Sequence, residues 1–161
     1  MLRAVATVWS RFLDGDGMSG LAGLLAGHPG SPGPGLYRWH ATFDADELAR
    51  RVGVAGWAYG HLGGVIETRE QALTEIGVAL GFAEHYGRNL DALWDSLRDL
   101  SAPTLLLWDH WGVLAYTEEA FFGRLLGLLR ERAEHPEPAD LPAFAVLLRG
   151  DGPDLGIPSL D

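Results

Sequence analysis

Two short, unbroken apolar runs restrict the fold of this chain more than any other feature. Thr104–Trp108 and Phe144–Leu148 are almost wholly apolar and have the length of single strands. Such runs are typical of strands buried on both faces, as in a parallel sheet covered by helices. Segments with helical patterns alternate with them, which indicates an α/β fold. With Gly56–Leu62 as a third strand, we predict a three-layer fold around a small parallel sheet of three core strands. Leu36–Thr42 is a candidate for one further strand.

Local signals mark where the helices begin. Asp44 and Thr68 each stand three residues before a Glu or Gln, which is the spacing of a capping box. Asn89 is a favoured N-cap residue, because its side-chain oxygen can accept a bond from an N–H of the first turn. A further helix is predicted to begin at Thr117, which is followed by two Glu residues.

Glycine and proline divide the chain into segments. Seven of the nine residues from 27 to 35 are Gly or Pro, which is typical of a linker. We therefore expect residues 1–35 to be a loosely attached Gly/Pro/Ala-rich extension and linker, and residues 36–53 to add a strand and a helix. Residues 54–150 form the main predicted domain, and residues 151–161 a flexible tail.

The charge balance is strongly acidic and favours cationic partners. The chain has 22 acidic residues against 12 basic ones, all of them Arg, for a net charge of −10. The electric field of such a charge repels the phosphates of nucleic acids and of anionic membranes. It attracts basic proteins. An acidic surface can also serve only to keep a protein soluble.

Several kinds of chemistry are excluded or disfavoured. The chain contains no Cys, so disulfides, thiolate zinc sites and cysteine nucleophiles are ruled out. None of the six His residues stands in a metal-ligand spacing with another, and no cofactor-binding or nucleophile motif is present. We expect no metal, no cofactor and no enzymatic activity. The N-terminal apolar run is too short for a secretory signal, so a cytoplasmic protein is expected.

Residues 86–97, with the sequence YGRNLDALWDSL, carry the most information about function. Gly87 is expected to take a positive φ in a tight turn before a helix capped by Asn89. On that helix Leu90, Leu93, Trp94 and Leu97 share one apolar face. Asp91 and Asp95 are offset by about 40°, so both carboxylates point to one side. This spacing fits a ridge that binds a cationic cleft, and it fits equally an ordinary amphipathic helix with a solvated acidic face.

The segment closely resembles the helix signature of the barstar family, the intracellular protein inhibitors of bacterial ribonucleases. Within residues 86–97, all positions match that pattern except Arg88 and Ser96. The order of predicted strands and helices from residue 56 to residue 148 is similar as well. The resemblance implies a three-stranded parallel sheet packed by helices. It also implies that the chain blocks the active site of a small, basic, secreted guanyl-specific ribonuclease inside the producing cell.

The resemblance also implies roles for single residues. Asp95 would enter the phosphate-binding site of the enzyme, and Asp91 would pair with basic residues nearby. The loop His85–Asn89 would cover the rest of the cleft, while Trp94 would lie partly at the interface. In the family a Glu on a later helix also contributes to the contact with the enzyme. Counting the register from Trp108 places this Glu at Glu131. The predicted contact residues are thus His85, Tyr86, Gly87, Arg88, Asn89, Asp91, Trp94, Asp95 and Glu131.

Two positions depart from the familiar pattern and leave the partner's identity open. His85 stands where the family's best-known inhibitor has Tyr, and Arg88 stands where it has an acid. A cation at that rim would weaken attraction to a basic enzyme. The alternative is a barstar-fold binding module that neutralises a different basic protein or toxin. The role of the N-terminal residues is equally open.

Overall fold

The main chain alternates between strands and helices, as the apolar pattern predicts. The computed structural model describes residues 19–83 and 86–160. Within them the helices are α1 (Ser19–Ala26), α2 (Ala45–Val54), α3 (Arg69–Ala79), α4 (Leu90–Arg98), α5 (Gly112–Thr117) and α6 (Glu119–Glu134). The strands are β1 (Leu36–Arg38), β2 (Ala58–Leu62), β3 (Thr104–Asp109) and β4 (Phe144–Arg149).

The strands form one parallel sheet in the order β1-β4-β3-β2. This confirms the predicted α/β fold, with β2, β3 and β4 as the three expected core strands. The candidate strand is present as β1, which pairs with β4 at the edge of the sheet. It is shorter than Leu36–Thr42: its register with β4 ends at Arg38, followed by one last bond from Trp39 N to Leu148 O at 3.0 Å.

Helices cover both faces of the sheet, which makes three layers. Alternate residues of β3 and β4 enter different cores: Leu106 and Val146 pack on one side, Leu105 and Leu147 on the other. Helices α3 to α6 contribute to the first core, and α1 and α2 to the second. Both central strands are therefore buried on both faces, which explains their unbroken apolar sequence.

Helix α1 differs from the expectation of a loosely attached extension. Leu21 and Leu24 are almost fully buried, and they share the second core with Trp57 and the central strands. The indole N–H of Trp57 donates a hydrogen bond to the carbonyl oxygen of Leu25 at 3.1 Å. This part of residues 1–35 is a packed element of the fold, because its leucines cover one face of the sheet. Residues 1–18 lie outside the described residues.

The C-terminal segment likewise differs from the expectation of a flexible tail. The N–H of Arg38 donates to the carbonyl oxygen of Pro158 at 2.8 Å, and that of Leu160 donates to Arg38 O at 2.9 Å. The side chain of Leu160 is only 5% exposed. The segment extends the sheet beside β1, so its backbone bonds are satisfied there. The segment boundaries at residues 35, 53 and 150 stay a prediction.

The helix starts follow the predicted caps, with one exception. Asp46 N donates to Asp44 Oδ1 at 2.7 Å, and Gln71 N donates to Thr68 Oγ1 at 3.1 Å. The predicted start at Thr117 is wrong, because this residue ends the short helix α5. Its hydroxyl donates to the carbonyl oxygen of Glu67 at 2.7 Å. The residue that precedes α6 is Glu118, and its side chain forms no capping bond.

Candidate partner-binding site

Helix α4 separates an apolar face from an acidic one, as its sequence predicts. Leu93 and Leu97 are fully buried in the first core, and Leu90 packs against it. Asp91 and Asp95 are both exposed. Neither carboxylate forms an ion pair or a hydrogen bond with the described residues. Nothing in the described part of the chain therefore occupies these two acids.

The segment before α4 is tied to the first turn of the helix. Ala92 N donates to Asn89 Oδ1 at 2.8 Å, which confirms Asn89 as the N-cap. The Asn89 side-chain amide also donates to the carbonyl oxygen of Gly87 at 3.3 Å. These two bonds fix the path of residues 87–89, because one side chain holds both the loop and the helix.

The positive φ in this segment belongs to Arg88, at 52°, and the expectation for Gly87 is wrong. Gly87 is required for a different reason. A Cβ at that position would lie 3.2 Å from the Cβ of Ala92, closer than side chains normally approach. The bridge from Asn89 draws residue 87 against the helix, and this close approach favours glycine there.

Tyr86 anchors the segment to helix α3. Its ring lies against Gly77, where a Cβ would come within 2.8 Å of Tyr86 Cδ2. The ring also meets Phe82 edge-on, with the ring centroids 5.2 Å apart. Its hydroxyl is buried without a hydrogen-bond partner among the described residues, and burial raises the pKa of Tyr86 to about 12. Gly77 thus permits the close packing of the loop on α3.

A groove of about 550 Å³ separates residues 80–83 and 86–87 from α4. Tyr86 and Gly87 line one side, and Asp95, Ser96 and Asp99 line the other. Among the described residues that line it, the charged side chains are those of Asp95 and Asp99, and both are acids. Sequence reasoning missed Asp99, although it continues the four-residue spacing of Asp91 and Asp95. The carboxylates of Asp95 and Asp99 can both face a single cationic group in the groove.

A second depression, of about 380 Å³, lies at the first turn of α4. Asp91 lines it together with Arg69 of α3, Arg88 and Arg124 of α6. Arg69 Nε lies 3.3 Å from Glu70 Oε1 and 3.8 Å from Glu118 Oε2. Sequence reasoning did not find this cluster, because the three arginines are brought together from separate parts of the chain.

The remaining predicted contact residues lie at different places. Trp94 is half-buried on α4. Glu131 is exposed on α6, and its carboxylate lies 3.6 Å from Nδ1 of His135. The neighbouring Arg132 donates to the carbonyl oxygen of Leu97 at 2.9 Å, so this part of α6 runs beside the last turn of α4. The other prediction, His85, lies outside the described residues.

A separate polar cluster occupies the carboxyl ends of the strands. Asp109 accepts hydrogen bonds from Arg149 Nε at 2.5 Å and from His61 Nε2 at 2.8 Å. Partial burial alone would raise the pKa of Asp109, but the bonds from Arg149 and His61 outweigh this effect and hold the pKa below its usual value. Arg149 also donates to the carbonyl oxygen of Phe43 at 2.7 Å. The cluster therefore joins strands β2, β3 and β4 to the segment after β1.

Nowhere within residues 19–83 and 86–160 do three His, Asp or Glu side chains group in a way that could hold a metal ion. In the same part of the chain, no helix combines the length and the apolar character needed to span a membrane.

Comparison with curated proteins gives no match. The family model of barstar, described as the barnase inhibitor, matches residues 62–148. This range is more than half of the chain and contains helix α4, the segment before it and both depressions. The chain therefore belongs to the barstar family.

Proposed function

We propose that this protein inhibits a bacterial extracellular guanyl-specific ribonuclease by blocking its active-site cleft. The blocking surface is helix α4 with residues 85–89. The protein acts as a stoichiometric binder in the cytoplasm of the producing cell and not as an enzyme. The observation that carries the proposal is the pair of exposed carboxylates Asp91 and Asp95 on a well-packed helix, inside the range that matches the family. Neither carboxylate is paired with another described residue.

The chemistry of the target explains why carboxylates suit this task. A ribonuclease cleft holds cationic side chains that stabilise the charge of the reacting phosphate. A carboxylate can take the place of a phosphate oxygen pair, and Arg can bind it through two parallel hydrogen bonds. The acidic ridge of α4 would therefore occupy the sites that the RNA phosphates use.

Asp95 is the stronger of the two anchors in this proposal. Asp91 shares its depression with three arginines, whose positive field offsets part of its attraction for a cation. Asp95 borders a groove in which the other charged residue of the described lining is Asp99. We assign Asp95 to the phosphate-binding site of the enzyme and Asp91 to basic residues beside it.

The local packing lowers the cost of binding. Asn89 fixes residues 87–89 to the helix, and Tyr86 fixes the start of the segment to Gly77. A surface that is already ordered loses less conformational entropy on association. The net charge of −10 would also speed the encounter with a basic enzyme.

An RNA-cleavage assay tests the proposal. The protein is titrated against barnase and a panel of related guanyl-specific bacterial ribonucleases. We expect at least one enzyme to lose activity in proportion to added protein, with an end point at one inhibitor per enzyme. Undiminished cleavage by every enzyme at excess protein would contradict the proposal. Tight binding to a basic protein without ribonuclease activity would instead support the alternative of a different target.

A further inference from the structure

The depression at the first turn of α4 concentrates basic side chains, although the chain as a whole is acidic. Arg69, Arg88 and Arg124 line it, and they are three of the twelve basic residues. The carboxylates of Glu70 and Asp91 line it as well, and Phe121 contributes an apolar wall. The described lining thus carries three guanidinium groups against two carboxylates.

Two of these arginines have no internal partner within the described part of the chain. Arg69 is bound to Glu70 and lies near Glu118. Arg88 and Arg124 form no ion pair with the described residues. Asp91 lies in the same depression, yet no described residue forms an ion pair with it. Within residues 19–83 and 86–160, no carboxylate thus occupies the guanidinium groups of Arg88 and Arg124.

The backbone at Arg88 adds a second observation. Its φ of 52° is unusual for a residue with a side chain, and such conformations cost about 1 kcal/mol or more. Glycine would adopt it without strain. The chain nevertheless carries an arginine here, at the edge of the proposed contact surface, where its side chain reaches the depression.

We propose that this depression is a second, oppositely charged part of the binding surface and receives a carboxylate of the partner. The cognate ribonuclease would then carry an Asp or Glu on the rim of its basic cleft, facing Arg88 and Arg124. Arginine binds a carboxylate through its planar fork, which adds geometric selectivity to the attraction. Enzymes with Lys or Arg at that rim would be repelled, so the depression selects among related ribonucleases. This inference rests on the proposed function.

Charge reversal tests the inference on the enzyme that the protein inhibits best in the panel. Arg88→Glu and Arg124→Glu should each weaken binding about tenfold, because two carboxylates would then face each other. The matched control is Arg50→Glu on α2, which packs on the opposite face of the sheet and has a side chain 75% exposed. It changes the net charge equally and should not weaken binding.

The partner's side of the contact is tested next. Each acidic residue on the rim of the enzyme's cleft is replaced in turn by Arg, and binding to Arg88→Glu and Arg124→Glu is measured again. One replacement should restore most of the lost affinity. Unchanged or tighter binding by both inhibitor variants would overturn the inference while leaving the proposed function intact. If no enzyme of the panel is inhibited by the wild-type protein, the proposed function and this inference both fail.

Discussion

Gly77→Ala gives a direct test of how the segment before α4 is held. The new methyl group would lie 2.8 Å from Cδ2 and 2.9 Å from Cε2 of Tyr86. Carbon atoms pack best at about 3.5 Å or more, so the ring or the helix must move by about 0.7 Å. The ring cannot move freely, because it also contacts Phe82 and starts the segment that Asn89 ties to α4.

Two effects of opposite sign determine how Gly77→Ala changes the free energy of unfolding. Alanine is favoured over glycine in a helix by about 1 kcal/mol. Overpacking a buried contact costs about 1–3 kcal/mol. We therefore expect Gly77→Ala to lower the free energy of unfolding by about 0–2 kcal/mol. Gly127→Ala is the matched control, since Gly127 is also within a helix, α6, and a Cβ there meets no atom within 4 Å. It should raise the free energy by about 1 kcal/mol.

Urea unfolding of the wild type and both variants measures the difference. The same substitution is then made in a Tyr86→Ala background, where the cost of overpacking should disappear. Exchange of the Ala92 amide with solvent should also speed up in Gly77→Ala, because that amide bonds to Asn89. Equal stabilisation by Gly77→Ala and Gly127→Ala in the wild-type background would refute the packing of Tyr86 on Gly77.

Three further substitutions probe the cap, the C-terminal segment and the strand-end cluster, each by urea unfolding. Asn89→Ala should lower the free energy of unfolding by about 1 kcal/mol through loss of the N-cap, whereas Asn89→Asp should keep most of the stability that the cap provides. An equal loss of stability in both variants would argue against capping. Leu160→Ala should cost about 2 kcal/mol, whereas Leu155→Ala, in the more exposed part of the same segment, should cost much less. The basic neighbours of Asp109 hold its pKa below the unfolded value, so its contribution is complete above about pH 4 and is lost as pH falls through the folded pKa. Asp109→Asn should flatten this acid dependence, and an unchanged slope would contradict the assignment.

The features that sequence reasoning predicted depend on local or strongly periodic signals. The apolar runs at residues 104–108 and 144–148 became β3 and β4, because burial on both faces leaves no place for polar residues. Asn89 caps its helix through a contact three residues away. The division of α4 into apolar and acidic faces follows from helix geometry alone.

The features that sequence reasoning missed depend on contacts between residues that are distant in the sequence. Nothing near Leu160 in the sequence indicates that it packs with α1 and pairs its backbone with Arg38. The arginine depression joins residues from α3, the loop and α6, so no motif contains it. The positive φ lies at Arg88 and not at Gly87, and the side chain of Asn89 bonds to the carbonyl oxygen of Gly87 on the other side of it.

Titration calorimetry with the inhibited ribonuclease tests the central claim, that the carboxylates of α4 anchor the complex. We expect Asp95→Ala to raise Kd by about 30-fold or more, as removal of a central anchor does, and by more than Asp91→Ala. Asp46→Ala is the control: it removes the same charge from α2, where the residue is exposed, and should change Kd by no more than about twofold. An Asp95→Ala variant that binds as tightly as the Asp46→Ala control would contradict the claim.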